Sequence, residues 1–367
     1  MIIFAVILMW SVLLFGAVHT YAYTVVNIGI LIVACRHFIQ WKNNSLTLVF
    51  PKTPINNMLL MGVFFIGLYI IPLPQFLIHL LSPESAMINQ LSQSPMQCIE
   101  NNIPLRFGTI ALTDFSLRNA WVQYMVYVLF FLGLIQVLDT PKRLKQFSIL
   151  LILMGAAQSL YGIMQTFGDV NYILWVPKAI FKNERDTSGT FINRNHFAAL
   201  MTMLMLFAVA YSASLTGRKV TKKTKISAKK KLTRFLSRER QWNQQILIAV
   251  AAAVMGLGIL FSASRGAMLA FFPGAIVLIM VLTARRTTRK QGLIMVVVCI
   301  IIAGFAIFAG EDRTIRRFSF FQENIKDRLR YTERSLELIK DYPLFGVGAS
   351  NFECAFSKYQ SPLDQQV

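Results

Sequence analysis

The sequence predicts an all-α polytopic membrane protein of about nine transmembrane helices, and three observations predict it. Of 367 residues, 55% are hydrophobic and only 15% charged, with a mean hydropathy of +0.53. A soluble domain carries about a quarter charged residues. Apolar stretches of about 18 residues or more recur from end to end, each long enough to cross roughly 30 Å of hydrocarbon. The runs are continuous rather than alternating, so they read as helices that satisfy their own backbone and not as strands of a barrel.

In chain order the spans are expected at about 1–18, 21–38, 57–80, 119–138, 147–167, 193–214, 245–262, 267–284 and 292–309. The opening MIIFAVILMWSVLLFGAV has no basic residue before its apolar core, the first being Arg36. It therefore reads as a retained first span rather than a cleaved signal peptide. Basic residues follow every second span. Arg36, Lys42 and Lys52 come after the second, and Lys142, Arg143 and Lys145 after the fourth. The block 217–240 comes after the sixth, and Arg285, Arg286, Arg289 and Lys290 after the eighth. The positive-inside rule then puts the N terminus in the cytoplasm and 310–367 on the outer side. Two regions result: a transmembrane helical domain over 1–309 and a partial outer loop over 310–367. No internal repeat is evident.

The net charge of +20 invites a nucleic-acid reading, which its location opposes. The densest basic block, GRKVTKKTKISAKKKLTRFLSRER (217–240), lies wedged between two spans. Its expected partners are anionic inner-leaflet lipids, and no nucleic acid is expected. Of 17 acidic residues, only Asp139 and Glu239 fall in expected cytoplasmic loops, and none lies deep within a span. Ion-coupled transporters place an ionisable residue near mid-membrane, and nothing here supplies one. Of the four cysteines, Cys35 and Cys299 lie in apolar runs. Cys98 and Cys354 lie in loops assigned to the same outer face, where paired and free thiols both stay open.

Polar chemistry concentrates on that outer face. In SASRGA (262–267), Arg265 stands in a turn of about five residues between two spans. A guanidinium there suits phosphate, because its planar fork binds oxyanions bidentately and stays charged. Ser264 and Gly266 flank it, and Gly266 lets the backbone turn tightly. The alternative is a snorkelling anchor for the hairpin. In GTFINRNHFA (189–198), Thr190, Asn193 or Asn195 can cap the helix that begins there. Its free N–H groups and positive dipole end favour an anion, and Arg194 adds a full charge. His196 follows on a different face. The alternative is a capped helix whose Arg194 and His196 meet headgroup phosphates.

In DRLRYTERSLELIKDYPLFGVGASNF (327–352), Leu329, Leu336, Ile339 and Leu344, with Tyr331 and Leu338, suggest an amphipathic helix that Pro343 ends. GVG (346–348) reads as a flexible turn. The basic face (Arg328, Arg330 and Arg334) suits headgroups or an anionic substrate, and simple docking on the bundle is the alternative. Glu184-Arg185-Asp186 has the spacing of a short acidic metal motif, but a three-residue match arises often by chance. No metal and no other cofactor are expected. His19 and His79 stand at isolated span ends, where interfacial packing is the expected role. There is no Walker motif, GxSxG or HExxH.

Three motifs in this order, GTFINRNHFA, FSASRGAMLAF (261–271) and RLRYTERSLELIKDYPLFGVGASNF (328–352), resemble the O-antigen ligase/polymerase superfamily of bacterial envelope glycan enzymes. The resemblance covers roughly 145–360; the first four spans share only hydropathy. It implies an inner-membrane glycosyltransferase with a GT-C-like helical fold. Such an enzyme takes a glycan from an undecaprenyl-diphosphate carrier at the periplasmic face. It passes the glycan to a hydroxyl on lipid A-core, another lipid-linked glycan or a protein, without a metal. Arg265 matches the arginine of the SRG motif, and Arg328 the one that begins the loop helix. Arg194 lies within the GTF-N-N-HFA stretch, at a position often held by other residues. By resemblance all three bind the diphosphate, with Asn193, Asn195, Ser264 and Gly266 in support.

Two departures stand out. Thr332 replaces a frequent Trp. The family's catalytic histidine lies beyond the PLFGVG segment, whereas 310–367 contains no His. Either the chain is truncated inside the outer loop or the base lies elsewhere, with His196 the only local substitute on that face; the catalytic residue stays open. A lipid-linked glycan flippase or transporter is the rival, disfavoured by spans nearly free of charge. A non-catalytic membrane assembly partner is the third reading, kept open by truncation.

Overall fold

A computed structural model describes residues 1–43, 53–91, 107–168, 170, 172–178, 187–216, 228–285, 288–308 and 328–360, with the backbone alone at 89–91, 216, 228–242, 265, 294, 301–303 and 305–308. The first helices are α1 (Ile2–Leu13), α2 (Thr20–Lys42), α3 (Pro54–Leu68), α4 (Gln75–Leu81) and α5 (Pro83–Leu91). Next come α6 (Asp114–Val137), α7 (Pro141–Phe167), α8 (Arg194–Thr216) and α9 (Ala228–Phe261). The last are α10 (Arg265–Thr283), α11 (Arg289–Phe308), α12 (328–341) and α13 (Phe352–Phe356). Two short antiparallel pairs are the described strands: β1 (Leu73–Pro74) with β2 (Phe107–Gly108), and β3 (Tyr172–Ile173) with β4 (Val176–Pro177). Among the described residues, 6 helices are long and apolar enough to cross a membrane. This is an all-α polytopic membrane protein.

Two stretches expected as single spans are divided. Within 1–18, α1 stops after 12 residues, a length of about 18 Å. Phe15, Gly16 and Ala17 then form a turn at φ of 56°, 69° and 54°. Left-handed backbone of this kind disfavours residues other than glycine by about 1–2 kcal/mol each. Within 57–80, α3 ends at Leu68 and the chain turns through β1 before α4. Pro72 and Pro74 account for the interruption, since neither has an N–H for a helical bond.

The contacts divide into two compact units, Met1–Gly29 with Val137–Thr314, and Ile30–Gln136 with Ile315–Val367. In the first, α9 packs on α7 and α8, and α10 packs on α8 and α11. Phe197, Met201, Met255 and Phe271 are fully buried at the centre. Glycines set the helix spacing. A Cβ on Gly155 would stand 2.5 Å from Met255 Sδ, and one on Gly258 2.5 Å from Ser159 Oγ. Between apolar helices in lipid, such close van der Waals approach replaces the missing hydrophobic drive.

In the second unit the PLFGVGASN stretch is clamped rather than loose. Tyr69 Oη donates to the Phe345 carbonyl at 2.5 Å, and Thr113 Oγ1 to Asn351 Oδ1 at 2.5 Å. Gly348 adopts φ +85°, and a Cβ there would meet Ala111 Cβ at 2.8 Å. Leu338, Tyr342, Val347, Ala355 and Phe356 form the adjoining core. At its edge Lys358 Nζ donates to Glu84 Oε2 at 3.0 Å, and Tyr359 Oη to Asp341 Oδ2 at 2.5 Å.

Burial, then the hydrogen bond to Asp341, pushes the Tyr359 phenol far up from its ordinary value. The bond to Glu84 raises the Lys358 ammonium. Both groups have higher values folded than unfolded. Their contribution is therefore complete below the unfolded values, near pH 10, and is lost as pH rises through the folded ones. Tyr359→Phe should remove one late-ionising phenol from an alkaline absorbance titration in detergent. An unchanged late phase would refute the bond to Asp341.

Candidate functional site

The site begins with a loop that ought not to be buried. Thr187, Ser188 and Thr190 are at most 2% exposed and Gly189 is buried, yet their backbone is not helical. Buried peptide groups need partners, and two glutamines seven residues apart on α7 supply them. Gln158 Oε1 accepts from the Thr190 N–H and from Thr190 Oγ1, each at 3.1 Å. Gln165 Nε2 donates to the Gly189 carbonyl at 2.9 Å and to that of Tyr172 at 3.0 Å. Thr190 Oγ1 also reaches the Val12 carbonyl at 2.6 Å.

Glycines make room for the loop. Gly189 sits at φ +57°, and a Cβ there would stand 2.8 Å from Gln158 Oε1 and 2.9 Å from Phe197 Cε2. A Cβ on Gly162, on the glutamine face of α7, would stand 2.7 Å from Thr187 Cγ2. Phe191 lies over Gly16, where a Cβ would be 2.6 Å from its ring. The left-handed turn after α1 is therefore shaped to receive the GTF stretch.

This loop delivers the start of α8. Of the three candidate caps, Asn193 takes the role: its Oδ1 accepts from the Asn195 N–H at 2.8 Å. Thr190 is engaged by Gln158 and Val12. Asn195 turns its Oδ1 to Ser264, which donates from Oγ at 2.8 Å. Ser264, buried, also caps α10, accepting from the Ala267 N–H at 3.4 Å. Ahead of it, Ser262 Oγ accepts from the Ser264 N–H at 3.2 Å and donates to the Ile259 carbonyl at 2.7 Å. Leu206 of α8 lies against Gly274 of α10, about three helical turns below the Asn195–Ser264 bond. The two helices thus run side by side in the same direction, with their N-termini tied together.

Each of these helices opens with an arginine, Arg194 and Arg265, and neither has an acidic residue in its first turn. An N-terminus carries about half a positive charge, so an arginine there opposes the dipole unless an anion is present. Arg194 is half-buried, and Asn193, Asn195 and His196 are exposed. Gly266 is exposed, and nothing lies within 4 Å of where its Cβ would be, which leaves open space beside the paired ends. Arg328 is the exposed first residue of α12 and belongs to the second unit. His19 packs edge-on to Phe15 at 5.5 Å and stacks on Tyr21 at 5.4 Å.

Glu184 to Asp186, Cys98 and 217–227 lie outside the described residues. No group of three or more His, Cys, Asp or Glu among the described residues is placed to hold a metal. Sequence reading passed over Gln158 and Gln165, whose visible signal was a pair of amides with Gly162 between them on one face of an apolar helix. It also passed over Lys178, 1% exposed at the end of the 172–177 hairpin.

A polytopic helical membrane protein with two cationic helix starts bound together is thus the class that the geometry defines. Residues 250–367 match the family model described as O-antigen ligase, which supports an assignment to the O-antigen ligase/polymerase family. No curated protein and no solved structure matches it. The matched segment contains Ser264, Arg265 and Gly266 and all of α12, whereas Asn193 to His196 precede it.

The tie is testable by a double-mutant cycle. Asn195→Ala and Ser264→Ala should each destabilise the protein in detergent and be less than additive together. The expected coupling is about 0.5–1.5 kcal/mol. Strict additivity would show that the helix starts are held by other means.

Proposed function

We propose that the paired helix starts bind the diphosphate of an undecaprenyl-diphosphate-linked glycan at the periplasmic face. One observation carries this reading: two tied N-termini, each with an arginine at its first position and no acid in its first turn. The acceptor hydroxyl, on lipid A-core or a second glycan, attacks the anomeric carbon of the donor. The bond from that carbon to the diphosphate oxygen breaks, and the lipid diphosphate departs with the electron pair.

Charge builds on the leaving group, and preorganised donors act where charge builds. Arg265 and Arg194, with the free N–H groups of both helices, neutralise the diphosphate without a metal. Arg328 carries the same expectation from its motif alone. The acceptor proton needs a base within hydrogen-bond reach, and His196, exposed at this mouth, is the candidate among the described residues. The basic block 217–240 is proposed to lie on anionic lipids of the inner leaflet. This assigns the N terminus to the cytoplasm and the tied helix starts to the opposite side.

In the intact protein, Arg265→Ala should lower transfer from a defined undecaprenyl-diphosphate glycan by about 100-fold or more, while membrane insertion is kept. Arg265→Lys should recover only part of it, since an ammonium lacks the bidentate fork. EDTA should leave transfer unchanged. Glycan gels unaltered by Arg265→Ala would sink the diphosphate role. Movement of the lipid-linked glycan across the bilayer without bond formation would identify a flippase instead.

A further inference from the structure

Away from the tied helix starts, α8, α9 and α11 enclose a cavity of about 390 Å³, within the range of small-molecule pockets. Its origin is legible in the residues. Ala249, Ala252, Ala253 and Gly256 fall on one face of α9, and their short or missing side chains leave room there beside α8 and α11. The space is graded in polarity. Its far end, at Leu260, is apolar, and its near end is lined by Ser212 and Gln291. There Gln245 Nε2 donates to the Ser212 carbonyl at 3.4 Å. Arg289 and Lys290 immediately precede Gln291 and are exposed, as is Arg285. Among the three helices, α8 and α11 carry no acid, and the single acid of α9 is Glu239, six residues before Gln245, so cations outnumber acids at this end.

We propose that this cavity holds one acyl chain of an anionic phospholipid whose headgroup meets Arg289 and Lys290. Two of the helices around it, α8 and α9, are among those long and apolar enough to span a membrane, so hydrocarbon is the medium at its open side, where Ala249 and Ala253 are exposed. An unfilled apolar void forfeits the dispersion contacts of its lining, and an acyl chain restores them. The cationic end selects the headgroup, since each Lys or Arg near an anionic surface strengthens binding about fivefold. The isoprenoid chain of a glycan carrier is the competing occupant. Its diphosphate would be drawn to Arg194 and Arg265 and not to the Gln291 end. The inference does not depend on the transfer reaction.

Native mass spectrometry of the intact protein in detergent, titrated with phosphatidylglycerol or phosphatidylcholine of equal chain length, tests it. Wild-type protein should retain phosphatidylglycerol preferentially. The double change Arg289→Gln, Lys290→Gln should weaken that retention about fivefold per charge and leave phosphatidylcholine unaffected. Ala253→Phe, on the open side of the cavity, should abolish retention of both. Equal retention of the two lipids by wild type overturns the proposal, and so does retention unaltered by Ala253→Phe. Displacement of phosphatidylglycerol by undecaprenol at equal concentration overturns it in favour of the isoprenoid. If Ala253→Phe does not fold, the headgroup variant decides alone, because its changes lie on exposed side chains.

Discussion

Two glutamine side chains make the rest of this architecture feasible. Residues 187–190 run as non-helical backbone inside a bundle of apolar helices, where water is not at hand to satisfy peptide groups. Each buried donor or acceptor left unmatched would cost about 1–3 kcal/mol. Gln158 serves the Thr190 N–H and hydroxyl, and Gln165 serves the Gly189 carbonyl. A span of purely apolar residues could not hold the loop there. Glycines 162, 189 and 258 are the steric counterpart, since Phe197 fills the space that their missing side chains leave.

With the loop fixed, the electrostatics follow. The cap at Asn193 and the cap at Ser264 each settle one helix start, and the bond from Ser264 to Asn195 sets the two starts beside each other. Two dipole ends and two arginines then share one small region that has no carboxylate in either first turn. Ordinary helices do the opposite and place Asp or Glu there. The proposed diphosphate would supply the negative charge that such helix starts otherwise draw from their own first turn.

Much of this was legible in the sequence, and the limits are physical. Apolar run length identified the helical membrane fold, because the bilayer imposes a length that hydropathy can measure. Asn193 stood before an apolar run, as a cap should, and Arg265 stood in a short turn between spans. What escaped notice depends on long separations or on backbone sign. Gln165 looks like an isolated polar residue until Gly189, 24 positions on, is seen to need it. The partner of Thr190 at Val12 is 178 positions away. Hydropathy averaged over 1–18 and 57–80 conceals the left-handed turn at Phe15–Ala17 and the break before α4. In the second case Pro72 and Pro74 did announce the break, and a composition window outweighed them.

Under the proposed diphosphate role, the Asn195–Ser264 bond contributes through preorganisation rather than through its own small energy. An arginine on a free hairpin would have to be ordered by the anion it binds, and exposed ion pairs so formed contribute only about 0–1 kcal/mol. Here the backbone of both helix starts is fixed beforehand by a continuous chain of bonds. Asn193 holds the Asn195 N–H, Asn195 receives the Ser264 hydroxyl, and Ser264 receives the Ala267 N–H. Ser264 spends its proton on one helix and a lone pair on the other, so neither start can shift without loosening its neighbour. The family-matched segment begins at residue 250, so this bond also joins it to the preceding helix. A substitution at Asn195, outside the match, therefore acts on the placement of Arg265 within it.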